Sequence, residues 1–210
     1  MFHVKHLPHR AEADANVSRE TSARLDVFVE LLGQWSKVIN LVAPAAPEAI
    51  RRRHIDDSLQ LIPLLPEAPA IAIDLGSGAG FPGLVLAIAT GHHFHLLEAD
   101  QRKAAFLREA SRLTAAPVTV HPCRIEQARI PAARLITARA LAPLPRLLDL
   151  AAPLMAPDGV CLFLKGRRVA EELTEAKPQW HMRVERFPSR TDPASSILKI
   201  SEIARVRQSP

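Results

Sequence analysis

Between Leu25 and Ile39 the apolar residues fall three and four apart, at Leu25, Phe28, Val29, Leu32, Trp35 and Ile39. That spacing gathers them into one stripe and predicts an α-helix with a single buried face. Ser18 is a favourable N-cap for it, and Glu20 sets an acid in the first turn. Pro44 and Pro47 interrupt the pattern. A second helix is expected over 48–65, with Ile55, Leu59 and Ile62 inward and Arg53, His54, Asp57 and Ser58 on a polar side. Pro63, Pro66 and Pro69 then break the chain into a linker ahead of Ile71. The first fifteen or so residues, with His3, His6 and His9, show no period and are expected to be a mobile arm. Residues 1–66 read as an arm plus a helical cap, and residues 67–210 as the main domain.

From Ile71 the pattern changes to short apolar runs alternating with helical spacing. Strands are expected at 71–74, 94–98, 117–121, 135–138 and 160–164. Helices are expected from Pro82, over 101–115, and around Leu144, Leu147, Leu148 and Leu150. Such alternation implies a mostly parallel sheet with helices on both faces. Two further strand-like runs, 182–187 and 196–203, are separated only by a loop and should form an antiparallel hairpin.

At 210 residues the chain has room for a core that needs no staples. Its 48% hydrophobic and 23% charged residues describe an ordinary soluble protein. No run is long enough to span a bilayer, and the N-terminus lacks the apolar stretch of a signal peptide, so a cytoplasmic protein is expected. Cys123 and Cys161 stand apart in apolar surroundings and read as reduced core residues, not as a disulfide or metal site. The formal charge of +5 gains meaning from clustering: Arg51-Arg52-Arg53-His54, Arg102-Lys103 and Lys165-Gly166-Arg167-Arg168. Three such groups near element ends point to a polyanionic partner.

Candidate chemistry concentrates in Asp74-Leu-Gly76-Ser-Gly78-Ala-Gly80-Phe81-Pro82-Gly83. A strand, an acid, a glycine-dense turn and a helix starting at Pro82 make a cradle for a nucleotide-type cofactor, because glycines let backbone N–H groups approach closely. Two registers are open. Gly78-x-Gly80-x-x-Gly83 fits the dinucleotide fingerprint, with Glu98 downstream for the ribose. Asp74-x-Gly76-x-Gly78-x-Gly80 fits the first motif of S-adenosylmethionine methyltransferases. The expected terminal hairpin favours the second, since a dinucleotide fold would keep its sheet parallel. The expected fold is therefore α/β, a Rossmann-like class I methyltransferase with a helical cap. In such sheets the ligand lies beyond the strands' carboxyl ends. Glu98 would accept from both ribose hydroxyls. Gly76 and Gly78 would leave room for the methionine part, Phe81 would offer an apolar wall, Ile125 would pack on the adenine and Glu126 would receive its amino group. Arg139, at a strand end, calls for an anionic partner.

The segments Asn40-Leu41, Arg53-His54-Ile-Asp-Asp57-Ser58-Leu59, Asp74 to Gly83, Arg102-Lys103-x-x-Phe106-Leu107, Arg124-x-Glu126, Arg139-Ala140 and Leu164-Lys165-Gly166 occur in one order. Together they resemble the bacterial 16S rRNA guanine-N7 methyltransferases, the RsmG or glucose-inhibited division B (GidB) family, from about residue 25 to 168. The resemblance implies methyl transfer from S-adenosylmethionine to N7 of a guanine in the decoding-site loop of small-subunit rRNA. It implies that Gly76, Phe81, Ile125, Glu126 and Arg139 line the cofactor pocket; Phe81 stands where the family often has leucine. Guanine N7 carries a free lone pair, so no general base is required. His54, Arg139 and Lys165 are assigned to orient the guanine or its phosphates. The partner implied is 16S rRNA or the small ribosomal subunit, with a monomeric enzyme and neither metal nor membrane. A small-molecule methyltransferase, a nicotinamide-dependent oxidoreductase and a non-catalytic RNA-binding module are the alternatives.

Overall fold

The computed structural model describes residues 3–6, 17–67 and 71–206. The N-terminal stripe forms as expected as far as Trp35: helix α1 spans Arg19–Trp35, the Ser18 hydroxyl accepts from the Thr21 backbone N–H, and Leu25, Phe28 and Leu32 are fully buried, while Ile39 lies in the turn beyond the C-cap Ser36. Ahead of it, His3–His6 forms strand β1. The expected mobile arm is thus in part an edge strand, and its remainder lies outside the described residues.

The second expected helix is not one regular α-helix. It opens at Pro47–Ile50 (α2), widens into a π-helical stretch over Arg51–Asp56, and closes at Asp57–Leu59 (α3). A 3-10 turn at Ile62–Leu64 follows, where Pro63 occupies an early position that needs no N–H. The linker beyond it falls partly on residues 68–70, outside the described residues.

The main domain alternates as the pattern implies. Strand β2 is Ala72–Leu75 and helix α4 is Gly83–Thr90. Strand β3 is Phe94–Leu97, α5 is Gln101–Thr114 and β4 is Val118–His121. Then come β5 at Ala133–Arg139, α6 at Leu144–Ala151 and β6 at Met155–Lys165. Helix α7, Val169–Ala176, precedes the hairpin strands β7 at Trp180–Pro188 and β8 at Ser196–Arg205. Pro82, expected as the first helical residue, is instead the N-cap of α4.

The strands lie in the order β1-β7-β8-β6-β5-β2-β3-β4. The described pairings are parallel except for those of β8, which is antiparallel to both β6 and β7. The hairpin expected at the tail therefore reverses the sheet, as in class I methyltransferases.

Two apolar clusters cover the two faces. One joins Phe94 and Leu96 of β3 to α4, α5 and the N-terminal helices, including Leu25, Phe28, Ile55 and Phe106. The other joins Ile73, Leu75 and Phe163 to α6 and α7 through Leu147, Leu148 and Leu173. The cap has no core of its own: the Phe28 ring lies 5.5 Å from Phe81 and 6.1 Å from Phe106, centroid to centroid. Helix α1 is also pinned by Arg24, which donates to the carbonyls of Thr114, Ala115 and Ile88 at 2.6, 3.0 and 3.4 Å.

Candidate functional site

Because β2, β3, β4 and β5 run parallel, their carboxyl ends emerge at one edge, and a cleft of about 730 Å³ opens there. Its floor is the turn after β2, and the ends of β3 and β5 and residues 123–126 form its sides. The apolar segment Leu41–Ala45 and the π-helical Arg53 and His54 close it from the cap. Of the site residues expected from sequence, His54, Gly76, Gly78, Phe81, Glu98, Ile125, Glu126 and Arg139 line it.

The floor is held by Glu98, only 9% exposed. One carboxylate oxygen accepts the Gly78 N–H and the other the Asp100 N–H, each at 2.8 Å. Each oxygen keeps a second lone pair for a ligand hydroxyl. Gly76 and Gly78 have φ of +61° and +55°, a region that costs a side chain dearly. Above Gly78 the space is open, the nearest atom to an added Cβ being the Gly76 carbonyl oxygen at 3.8 Å. A ligand can therefore approach the turn's backbone directly.

Asp74 is not a lining residue. It is fully buried beneath the turn, where one oxygen accepts the Thr137 hydroxyl at 2.6 Å and the other has no partner. Burial raises its pKa to about 6, against the pull of the Thr137 hydrogen bond. Its part is to shape the turn: Gly83 packs so close that a Cβ there would sit 2.5 Å from that of Asp74.

The opposite wall is built on Phe81. The His54 ring stacks on it at 4.9 Å and 25°, and the Arg139 guanidinium lies 4.7 Å from its centroid. Arg139 is 17% exposed and reaches Asp57 at 3.3 Å. Its Nη1 also donates to the Arg53 carbonyl at 3.4 Å. Burial, followed by the charges of Arg139 and Arg53, lowers the His54 pKa to about 4, so this imidazole is neutral at physiological pH.

Glu126 stands at the far end, exposed and hydrogen-bonded to Arg146. Lys165 is where the sequence reading fails: it does not line the cleft. Its side chain is 8% exposed, and its ammonium pairs with Glu172 at 2.6 Å and donates to the Ala142 carbonyl at 2.8 Å. Glu172 also accepts the Leu144 N–H at 2.7 Å, so the pair braces the loop after β5 from behind. A buried ammonium with two such partners has no reason to turn toward a ligand. Conversely, Arg146 and Leu141 line the cleft although the sequence does not mark them, and Arg53 and Lys103 line it too; Arg53 stands out in the sequence through its basic cluster and the segment that carries the resemblance. Lys103 too carries a sequence signal, through its Arg-Lys pair.

The donor set fits a nucleoside: a fixed carboxylate for a diol, apolar Leu97 and Ile125 for a base, and a glycine turn for the chain beyond. A family model described as rRNA small subunit methyltransferase G, GidB, matches residues 21–196. The chain belongs to the GidB family. A ribosomal RNA small subunit methyltransferase G from Granulibacter bethesdensis is 55% identical over 213 residues, spanning 98% of this chain and all of that one. Its counterpart from Gluconobacter oxydans is 57% identical over 190 residues, covering 90% and 98%. An O-methyltransferase from Bacillus cereus, solved in complex with SAH, superposes with a TM-score of 0.58 at 15% identity, covering 84% of this chain and 91% of that one. That likeness concerns the fold. In this GidB-family chain the fold sets Glu98, Phe81 and Arg139 around one cleft.

Proposed function

We propose that this chain transfers the methyl group of S-adenosylmethionine to N7 of a guanine in the decoding-site loop of 16S rRNA. The observation that carries the reading is Glu98, buried and pinned across the glycine turn of a cleft whose rim holds Arg53, Lys103, Arg124 and Arg146. When bound, the cofactor supplies an electrophilic methyl on a sulfonium sulfur. The chain's own residues bind and align. Glu98 accepts the ribose hydroxyls through its free lone pairs. Ile125 packs on the adenine and Glu126 accepts its amino group, exchanging its bond to Arg146 for that contact. Gly76 and Gly78 leave the methionine part space to pass.

Guanine N7 brings its own lone pair, so the site needs alignment and exclusion of water in place of a base. Phe81 and the neutral His54 suit this work, since they present flat rings without adding a charge that would repel the sulfonium. Arg139 reaches the carboxylate of the cofactor's methionine part and orients the guanine or a phosphate. The deep major groove of A-form RNA bars side chains from N7, so the target is a splayed or unpaired nucleotide. The enzyme works as a cytoplasmic monomer; among the described residues no helix is long and apolar enough to cross a membrane.

Mapping N7-methylguanine in rRNA from cells with and without the protein tests the reading. One decoding-site guanine should lose its methyl group in the deletion strain and regain it on complementation with wild type but not with Glu98→Ala. Unchanged rRNA methylation would reject the assignment in favour of a small-molecule acceptor.

A further inference from the structure

We propose that Asp57 is a positioning residue: it holds the Arg139 guanidinium on the Phe81 ring, and the β7–β8 turn locks it there through Thr191 and Gln60. Asp57 is the first residue of α3, at the exit of the π-helical stretch, and its side chain is 14% exposed. One oxygen faces Arg139 Nη1 at 3.3 Å. The other accepts the Thr191 hydroxyl at 2.7 Å and the Gln60 amide at 2.8 Å. Gln60 is itself fixed at both ends, since its Oε1 accepts the Arg190 N–H at 2.9 Å and its Nε2 donates to the Ser189 hydroxyl at 3.2 Å. Two segments remote in sequence, at Arg139 and Thr191, therefore join the neighbouring Gln60 on one carboxylate, and only Arg139 reaches the cleft.

Stability alone does not account for that arrangement. Taking a guanidinium and a carboxylate out of water costs about what their attraction returns, and an apolar pair would serve as well. Orientation is what the extra bonds supply. An aspartate held only by arginine can follow it through several rotamers. With Thr191 and Gln60 on its other oxygen, Asp57 has one rotamer, and it offers Arg139 one place to dock. The flat face of the guanidinium then stays on Phe81, which the His54 ring also covers. Without Asp57 the buried cation would keep, among the described residues, the Arg53 carbonyl, the ring face and the more distant charge of Asp74, and it would swing toward water in the cleft.

The His54 imidazole reports this movement in the protein free of cofactor and RNA, because after burial the Arg139 charge does most to hold its pKa down. NMR titration should show the His54 midpoint climbing above about 4 in Asp57→Asn, with burial and Arg53 still holding it below 6.5, and climbing less in Thr191→Val. If Asp57→Asn does not fold, Thr191→Val decides by the same measurement. A midpoint unmoved in the folded variants overturns the proposal and leaves Asp57 a purely structural residue. The consequence for ligand binding rests on the methyl-transfer reading. S-adenosylhomocysteine should bind about tenfold more weakly to Asp57→Asn, the loss of one charge-assisted contact. It should bind no more weakly to Asp57→Asn/Arg139→Gln than to Arg139→Gln alone. Since the titration uses neither cofactor nor RNA, its result would hold even if the methylation assay failed.

Discussion

Gly78 lies in the turn and Gly83 opens the helix behind it, and the two are glycine for different reasons. At Gly83 an added methyl group would lie 2.5 Å from Asp74 Cβ, 2.7 Å from its Cγ and 2.8 Å from Leu96 Cδ2, all held in the core. Gly83→Ala should therefore cost about 3 kcal/mol. At Gly78 the space is open and the φ of +55° alone penalises a side chain, so Gly78→Ala should cost about 1 kcal/mol. Urea denaturation checks the order, and equal losses would refute the packing argument. Acid brings out a second contrast. The folded pKa of His54, about 4, lies below its free value, so the unfolded chain binds the proton first and stability falls as pH drops from 6.5 toward 4. Asp74, raised to about 6, acts in the opposite sense between pH 6 and 3.8. His54→Gln should thus lose less melting temperature than wild type between pH 7 and 5. Sequence reveals these residues unevenly. The spacing of the glycines and Glu98 is local, and it is legible. The partner of a charge is not local, which is why Lys165 looks like a site residue in the sequence and belongs to Glu172 in the fold.

At the scale of elements, α1 is the easiest to read because its stripe from Leu25 to Trp35 repeats the α-helical spacing for about three turns. The stretch Arg51–Asp56 reads as plain helix, since π winding leaves no mark in the order of polar and apolar residues. It matters because it carries Arg53 and His54 into the cleft, and such widenings concentrate at functional sites. Strand β1 is silent in the sequence for a different reason: four residues are too few to show a period of two, and its pairing with the otherwise open edge of β7 is a tertiary event. What fastens α1 to the rest is also tertiary. The Arg24 guanidinium meets the last carbonyls of α5 and one near the end of α4, where the negative ends of two helix dipoles lie together. Arg24→Ala should cost about 2 kcal/mol, by the usual worth of hydrogen bonds to a charged donor. Arg24→Lys should recover less than half of that, because a single ammonium cannot fork between two helix ends. Urea midpoints of the two variants measure the difference.

Across the whole molecule, the three basic clusters seen in the sequence are sorted by what they touch. Arg51 is drawn to Asp26, Lys165 to Glu172, and Arg168 to Glu171 and Glu175, so these charges are neutralised within the chain. Arg52 and Arg167 are exposed and make no ion pair among the described residues. The first and third clusters also meet at one end of the sheet. Hydrogen bonds from Ser195 and Ala194 hold Asp192 below the usual carboxylate range, and the charges of Arg167 and Arg53 add to the effect. Arg52 and Arg167 lie outside the cleft, so reversing them tests for a polyanion contact apart from the cleft. If both touch phosphate, Arg52→Glu/Arg167→Glu should weaken binding to a decoding-site RNA fragment at low salt. It should also flatten the plot of log affinity against log salt by about 1.4, or about 0.7 for each lost contact on a single strand. Its affinity for S-adenosylhomocysteine should match that of wild type. A full salt slope in this variant would mean that the polyanion docks elsewhere, against the cations that line the cleft itself.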